Sequence, residues 1–279
     1  MREVHIEQVT RAVRDLCICA NTELGDDVIA AFHKALEVEE SPIGRDILER
    51  LIENARIAKD EQMPMCQDTG MAVVYIEAGQ DVQFVGGSLE EAIHEGVRQG
   101  YTEGYLRKSL CDPITRKNTG DNTPGMIHYR IVPGDACRVT VAPKGGGGEN
   151  MSQVVMLSPS EGIQGVKQFV VERVHESGGK PCPPIIVGVG IGGTLEKAAL
   201  LAKQALLRPV GSKNEDPQVE ALEKDWLNAV NDLGIGPQGL GGRTTALAVH
   251  IGTMPCHIAS IPVAVNIQCH SSRHKDMEL

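Results

Sequence analysis

Aromatic residues are scarce in this chain of 279 residues: one Trp, four Tyr and three Phe make up 3% of it, so Val, Ile, Leu, Ala and Met must fill the core. Positive charge is also in deficit. With 27 Lys and Arg against 37 Asp and Glu, the net charge of −10 repels nucleic acid and anionic lipid. No basic run interleaved with aromatics offsets it, which excludes nucleic acid as an expected partner. No apolar run approaches the ~18 residues of a membrane span, and the N-terminus lacks the order of a signal peptide, so the expected location is the cytoplasm, away from membranes. Internal repeats and low-complexity linkers are absent as well. A chain of this length can bury roughly three quarters of its unfolded surface. The simplest reading is a single α/β (α+β) unit over residues 1–279, with a mixed, partly antiparallel sheet surrounded by helices.

What is present supports that class. Ile6, Val9, Val13 and Leu16 recur at helical spacing. Ser41 and Pro42 cap and start a helix whose apolar face is Ile47, Leu48, Leu51, Ile52 and Ala55. "MAVVYIEAG" reads as a strand, and Ser88 with Glu91 forms a capping box for a helix that either packs closely through its glycines or breaks near Gly100. "MIHYRIV", a turn at Pro133, Gly134 and Asp135, and "CRVTVAP" predict a hairpin. Beyond a glycine run come the helix "GIQGVKQFVVERVHES", the strand "IIVGVGI", the helix "TLEKAALLAKQALL", and a helix started by Asp216 and Pro217. "TTALAVHIG" and "HIASIPVAVNIQC" close the chain as strands.

Eight cysteines without a secretory signal point away from disulfides and toward core packing, metal or catalysis. Cys17, Cys19 and Cys137 fall in apolar patterns and read as small hydrophobes. Cys66, Cys182 and Cys269 share another setting, a strand end beside Pro, Gly or polar turn residues. Their wide spacing excludes a local zinc knuckle or ferredoxin motif. Three such thiolates would suit a [4Fe–4S] cluster with one open iron; scattered structural cysteines fit the spacing too, and Cys111 and Cys256 also lie by loops.

"GVGIGG" has the form of a dinucleotide-binding turn, but no second strand ending in an acid follows at the required distance, so close helix–strand packing or an anion at the helix start is the better reading. "KGGGG" could be an anion nest or a plain loop, and "RKNTGDNTPGMIHY" a polar binding segment or Asx-turn chemistry. His257 stands where an extended segment would carry it toward the strand end opposite Cys269.

Taken together, "MCQDTG", "NTGDNTPGMIHY", "KGGGGENMS", "GKPCPPIIVGVGIGGTLEKAALLAK" and "IASIPVAVNIQCHSSRH" resemble the class I, iron–sulfur-dependent fumarate hydratases, in their N-terminal domain or separate alpha subunit. The resemblance spans nearly the whole chain. It implies that Cys66, Cys182 and Cys269 bind a [4Fe–4S] cluster whose open iron acts as a Lewis acid in interconverting (S)-malate and fumarate. It further implies catalytic roles for Asp68 and His257 near the substrate hydroxyl. Gln67, Arg107 and a glycine of the loop, placed at Gly147, would hold the substrate carboxylates. The family's second domain is missing from the sequence, so a beta subunit and an assembly such as α2β2 are expected. L-tartrate dehydratase alpha subunit, a non-catalytic iron–sulfur sensor or scaffold, and an NAD-dependent oxidoreductase are the competing functions.

Overall fold

The structure, a computed structural model, describes all residues from Met1 to Leu279. Along the chain its elements are β1 (Arg2–His5), α1 (Ile6–Thr22), α2 (Asp26–Val38), α3 (Pro42–Glu61), β2 (Met71–Gly79), β3 (Val82–Val85), α4 (Leu89–Glu103), β4 (Met126–Val132) and β5 (Cys137–Lys144). There follow α5 (Gly146–Asn150), β6 (Gln153–Leu157), α6 (Gly162–Ser177), β7 (Ile185–Gly192), α7 (Leu195–Ala205), α8 (Pro217–Asn231), β8 (Ala246–Met254), β9 (Ile261–Gln268) and β10 (Lys275–Glu278). The mixed α/β class read from the sequence is what these elements build. The strands are distributed over two four-stranded mixed sheets and one parallel pair, β1 with β3, where a single sheet was expected. The residues group into two compact units: Met1–Leu24, Asn54–Gly145 and Arg273–Leu279 form the first, Gly25–Glu53 and Gly146–Ser272 the second.

The sheet of the first unit has the order β10-β5-β2-β4. The expected hairpin of β4 with β5 does not form, because β2 lies between them, parallel to β4 and antiparallel to β5. The reason is burial. β2 is apolar on both faces, with Ala72, Val73, Val74 and Ile76 all at 2% exposure or less, so it needs a neighbour on each side. Gly79 makes the arrangement possible: a Cβ there would stand 2.2 Å from the Gly134 carbonyl, so the turn joining β4 to β5 passes directly over the end of β2. Helix α4 runs unbroken through Gly100, and its glycines serve close packing. A Cβ at Gly96 would lie 2.6 Å from the Thr10 carbonyl, and one at Gly100 2.7 Å from Cys17 Cβ, so α1 and α4 touch backbone to side chain. Cys17 and Cys137 are fully buried in this core, and burial pushes the Cys17 thiol up to about 12. Cys19, expected with them in the core, is half-buried.

In the second unit the sheet order is β6-β9-β7-β8, with β7 parallel to β8 and antiparallel to β9. Val166, Val170 and Val174 of α6 and Trp226 and Val230 of α8 cover it together with the inward residues of β7, β8 and β9. The glycines of "GVGIGG" lie inside β7, and their role is contact. A Cβ at Gly188 would stand 2.1 Å from the Ala202 carbonyl and one at Gly190 2.0 Å from that of Ala198, so α7 rests its backbone on the strand. This is the packing alternative to a dinucleotide site.

His250, on β8, is 2% exposed, with Nδ1 3.2 Å from the Ala205 carbonyl. Burial first, then the charge of Arg208, lowers its pKa to about 4. The unfolded chain, with a histidine near 6.5, therefore binds a proton that the folded chain refuses as pH falls from about 6.5 to 4, and stability declines across that window. The expected loss from this group between pH 7 and pH 5 is about 2 kcal/mol. Urea melts at the two pH values check it: His250→Asn keeps a donor for Ala205 but cannot be charged, and its loss should be smaller by that amount.

Candidate active site

After α3 the chain turns at Gln62, whose φ of 52° is left-handed, and enters the segment that leads to β2. Met65 anchors it: its N–H donates to the Asn21 carbonyl at 3.0 Å, its carbonyl accepts from Asn54 Nδ2 at 2.8 Å, and its side chain is buried. Next in sequence, Cys66 is half-buried, with Sγ 3.4 Å from Gln67 Oε1, and Gln67 is exposed. Asp68 then folds back on its own turn, its Oδ1 accepting from the Gly70 N–H at 3.1 Å, Arg107 Nη2 at 3.1 Å and Ser109 Oγ at 3.5 Å.

The turn is held from behind by buried polar groups. Thr69 Oγ1 donates to the Arg107 carbonyl at 3.0 Å, and the Tyr101 hydroxyl donates to the Thr69 and Gly70 carbonyls at 2.9 and 3.0 Å. Asn122, fully buried, donates to the Gly70 carbonyl and accepts from the N–H groups of Ser109 and Leu110. That gives "NTGDNTPG" its role here: Asn122 locks the Arg107–Ser109 segment to the Asp68 turn. Gly70 itself has φ +74°, and a Cβ there would meet the Lys144 backbone at 2.7 Å, so only glycine lets β2 and β5 close at this point. Gly145 comes next to the carboxylate; a Cβ on it would lie 3.2 Å from Asp68 Oδ2. Arg273 donates from Nη2 to the Asp68 carbonyl.

In the second unit, Cys182 sits between Pro181 and Pro183 with a φ of 57°, half-buried just before β7. Cys269 follows β9 directly, with Sγ 3.1 Å from Ser271 Oγ. Because β7 and β9 are antiparallel, with Ile186 opposite Gln268, the start of one and the end of the other share a sheet end. His270 joins the two cysteine segments, its N–H donating to the Cys182 carbonyl at 3.2 Å and its Nδ1 lying 3.1 Å from the same oxygen. Gln238 braces them from below, donating from both its N–H and its side chain to the Pro183 carbonyl. Sequence reasoning missed His270 and Gln238, although His270 stands next to a singled-out cysteine.

The remaining expected residues are placed as follows. Gly147 packs on the Lys180 carbonyl, which a Cβ would approach to 3.1 Å. The glycine run, read in the sequence as an anion nest or a plain loop, starts the single turn of α5. His257 is exposed in the turn between β8 and β9, its Nδ1 accepting from the Ala259 N–H at 3.1 Å. The chain does not bend to return it. The length of β9 sets His257 more than about 20 Å from Cys269, at the other end of the sheet.

Within each unit, no three Cys, His, Asp or Glu side chains gather as a ready metal-binding set. The donor chemistry nevertheless fits an iron–sulfur group. Cys66, Cys182 and Cys269 are half-buried thiols on loop segments anchored by backbone hydrogen bonds, unlike Cys17 and Cys137, which burial keeps protonated in the core.

Comparison with known proteins gives the family. A model of the family described as Fumarate hydratase (Fumerase) matches residues 10–278. A Methanocaldococcus jannaschii protein named "Putative L(+)-tartrate dehydratase subunit alpha" is 44% identical over 260 residues, covering 90% of each chain. The L(+)-tartrate dehydratase subunit alpha of Escherichia coli K12 is 32% identical over 272 residues, 96% of this chain and 89% of its own. The chain belongs to the fumarate hydratase (Fumerase) family of hydro-lyases.

Proposed function

We propose that this chain is the alpha subunit of a hydro-lyase that removes water from a four-carbon 2-hydroxydicarboxylate, (S)-malate to fumarate in the first reading. The observation that carries it is the Asp68 turn: a carboxylate fixed by a backbone N–H, an arginine and a serine, two residues from a half-buried cysteine. Cys66, Cys182 and Cys269 would hold a [4Fe–4S] cluster, which supplies a Lewis acid for the departing hydroxyl.

The chain's own residues do the rest. Asp68 exchanges the proton of the substrate hydroxyl, and its orientation by three donors keeps the carboxylate aimed without conformational search. Arg107, whose side chain is 55% exposed, is free to swing one of its donors onto a substrate carboxylate; Gln67 and Gly147 would complete the binding of the dicarboxylate. His257, at the far end of β9 from Cys269, would serve such a site only from a second copy of the chain, in keeping with an α2β2 assembly. The proton on carbon needs a second base, and this reading places it on a beta subunit, the partner to which the relatives' "subunit alpha" names point.

A second reading, L(+)-tartrate as substrate, is favoured by those same names. The two differ by one hydroxyl. Anaerobic co-expression with the candidate beta chain, assay of iron and sulfide, and turnover of malate and L(+)-tartrate side by side separate them. The expected result is about four irons per αβ pair with turnover of one of the two acids. An iron-free pair, or an iron-loaded pair inactive on both, overturns the proposal.

A further inference from the structure

Arg273 is 2% exposed, and the structure gives it a single hydrogen bond, from Nη2 to the backbone carbonyl of Asp68. Its Nε and Nη1 are buried and have no acceptor. No carboxylate neutralises it; the acid nearest along its one hydrogen bond, Asp68, directs its carboxylate to Arg107. A guanidinium is always charged, and a charge taken out of water without a counter-ion costs more than one hydrogen bond to a carbonyl returns. Two N–H-bearing nitrogens on this buried cation are donors that the folded chain leaves unsatisfied.

The position is also specific. Arg273 touches the same turn that holds Asp68, and its charge is felt at the buried Tyr101 hydroxyl that supports this turn. Arg107 pairs with the Asp68 carboxylate and Arg273 with the Asp68 carbonyl, so two arginines contact this turn. Arg107 is exposed and can follow a ligand as it arrives, whereas Arg273 is fixed in place before any ligand binds.

We propose that Arg273 is a substrate-binding residue, whose unpartnered Nε and Nη1 N–H groups donate to a carboxylate of the dicarboxylate substrate. This rests on the functional reading above. The guanidinium would fix one end of the substrate against the turn while holding the Asp68 backbone, so that binding and orientation of the acid–base group are coupled through one side chain.

The test uses the iron-loaded αβ pair with two variants, Arg273→Met and Arg273→Lys, and two measurements: calorimetric binding of succinate, a dicarboxylate with no hydroxyl to lose, and KM with kcat on the active substrate. Arg273→Met is expected to weaken succinate binding and raise KM by about 100-fold, with iron content and melting temperature close to those of the unaltered pair. Arg273→Lys, which keeps the charge and a donor for the Asp68 carbonyl, should recover part of the affinity and decides the matter if the Met variant fails to fold. Unchanged succinate affinity in the variants overturns the inference and leaves the functional reading standing. So does loss of iron with normal succinate affinity in the loaded fraction, which would assign the guanidinium to the cluster. An unaltered pair that neither binds succinate nor acts on malate or tartrate overturns the functional reading, and the inference with it.

Discussion

Asp68→Asn is expected to lower turnover by about 10³-fold while leaving the iron content of the αβ pair unchanged, because general acid–base groups contribute roughly 10²–10⁴ and a carboxamide has no proton to exchange at neutral pH. The substitution is close to isosteric. An asparagine Oδ1 can still accept from the Gly70 N–H, so the turn should persist, supported as it is by Tyr101, Thr69 and Asn122. What is lost is the charge facing Arg107, and at 55% exposure for the arginine side chain that ion pair adds little to stability. The fall should therefore appear in kcat, with a melting temperature near that of the unaltered protein. Ser109→Ala provides the contrast: its 3.5 Å contact with Asp68 is at the limit of hydrogen bonding, and its removal should change turnover several-fold at most. An Asp68→Asn protein within tenfold of full activity would move the proton transfer to another residue.

How much of this was legible beforehand follows from how local each signal is. Helix α3 announces itself by Ser41 and Pro42, and Ser41 Oγ does accept from the Gly44 N–H; α8 is announced by Asp216 and Pro217 in the same way. Helix α2 carries the helical spacing Val28, Phe32, Ala35 but begins at Gly25, which offers no side-chain cap, and it was not anticipated. Strands β1, β3, β6 and β10, four or five residues each, are too short for an alternating pattern to stand out. The insertion of β2 between β4 and β5 could not be read locally, since two strands around a short Pro-Gly-Asp turn look like a hairpin until the burial of β2 on both faces is known.

The candidate site divides along the same line. Cys66, Asp68, Cys182 and Cys269 stood out because each lies in a short motif of turn residues. Asn122, His270 and Arg273 act through partners 52, 88 and 205 residues away, and no local pattern records such a partner. Arg273 in particular reads in sequence as one more polar residue of a terminal segment; only its burial and its idle donors set it apart.

The largest expected effect on stability lies away from the site, at Glu223. This glutamate of α8 is 6% exposed and collects four donors: Arg208 Nη1 and Nη2, Asn214 Nδ2 at 2.9 Å and the N–H of Ile251 on β8 at 2.7 Å. β8 is an edge strand, so the Glu223 carboxylate pairs an outward N–H that no neighbouring strand reaches. Glu223→Ala removes every one of these bonds and leaves Arg208, its side chain 25% exposed, without a counter-ion. Breaking a buried pair from one side costs about 3–5 kcal/mol, and the partial exposure of Arg208 places the expectation at about 3 kcal/mol. Urea unfolding at pH 7 measures it. The loss should also couple to His250, whose pKa is pushed down by Arg208 and up by Glu223. With Glu223 gone the arginine is opposed only by Asp27 and the bond to the Ala205 carbonyl, the imidazole pKa falls further, and the acid window of stability loss extends below pH 4. Adding Arg208→Met to Glu223→Ala removes the stranded charge, so the double variant should be more stable than Glu223→Ala alone; if it is not, the cost lies in the freed Ile251 and Asn214 donors and the ion pair contributes little.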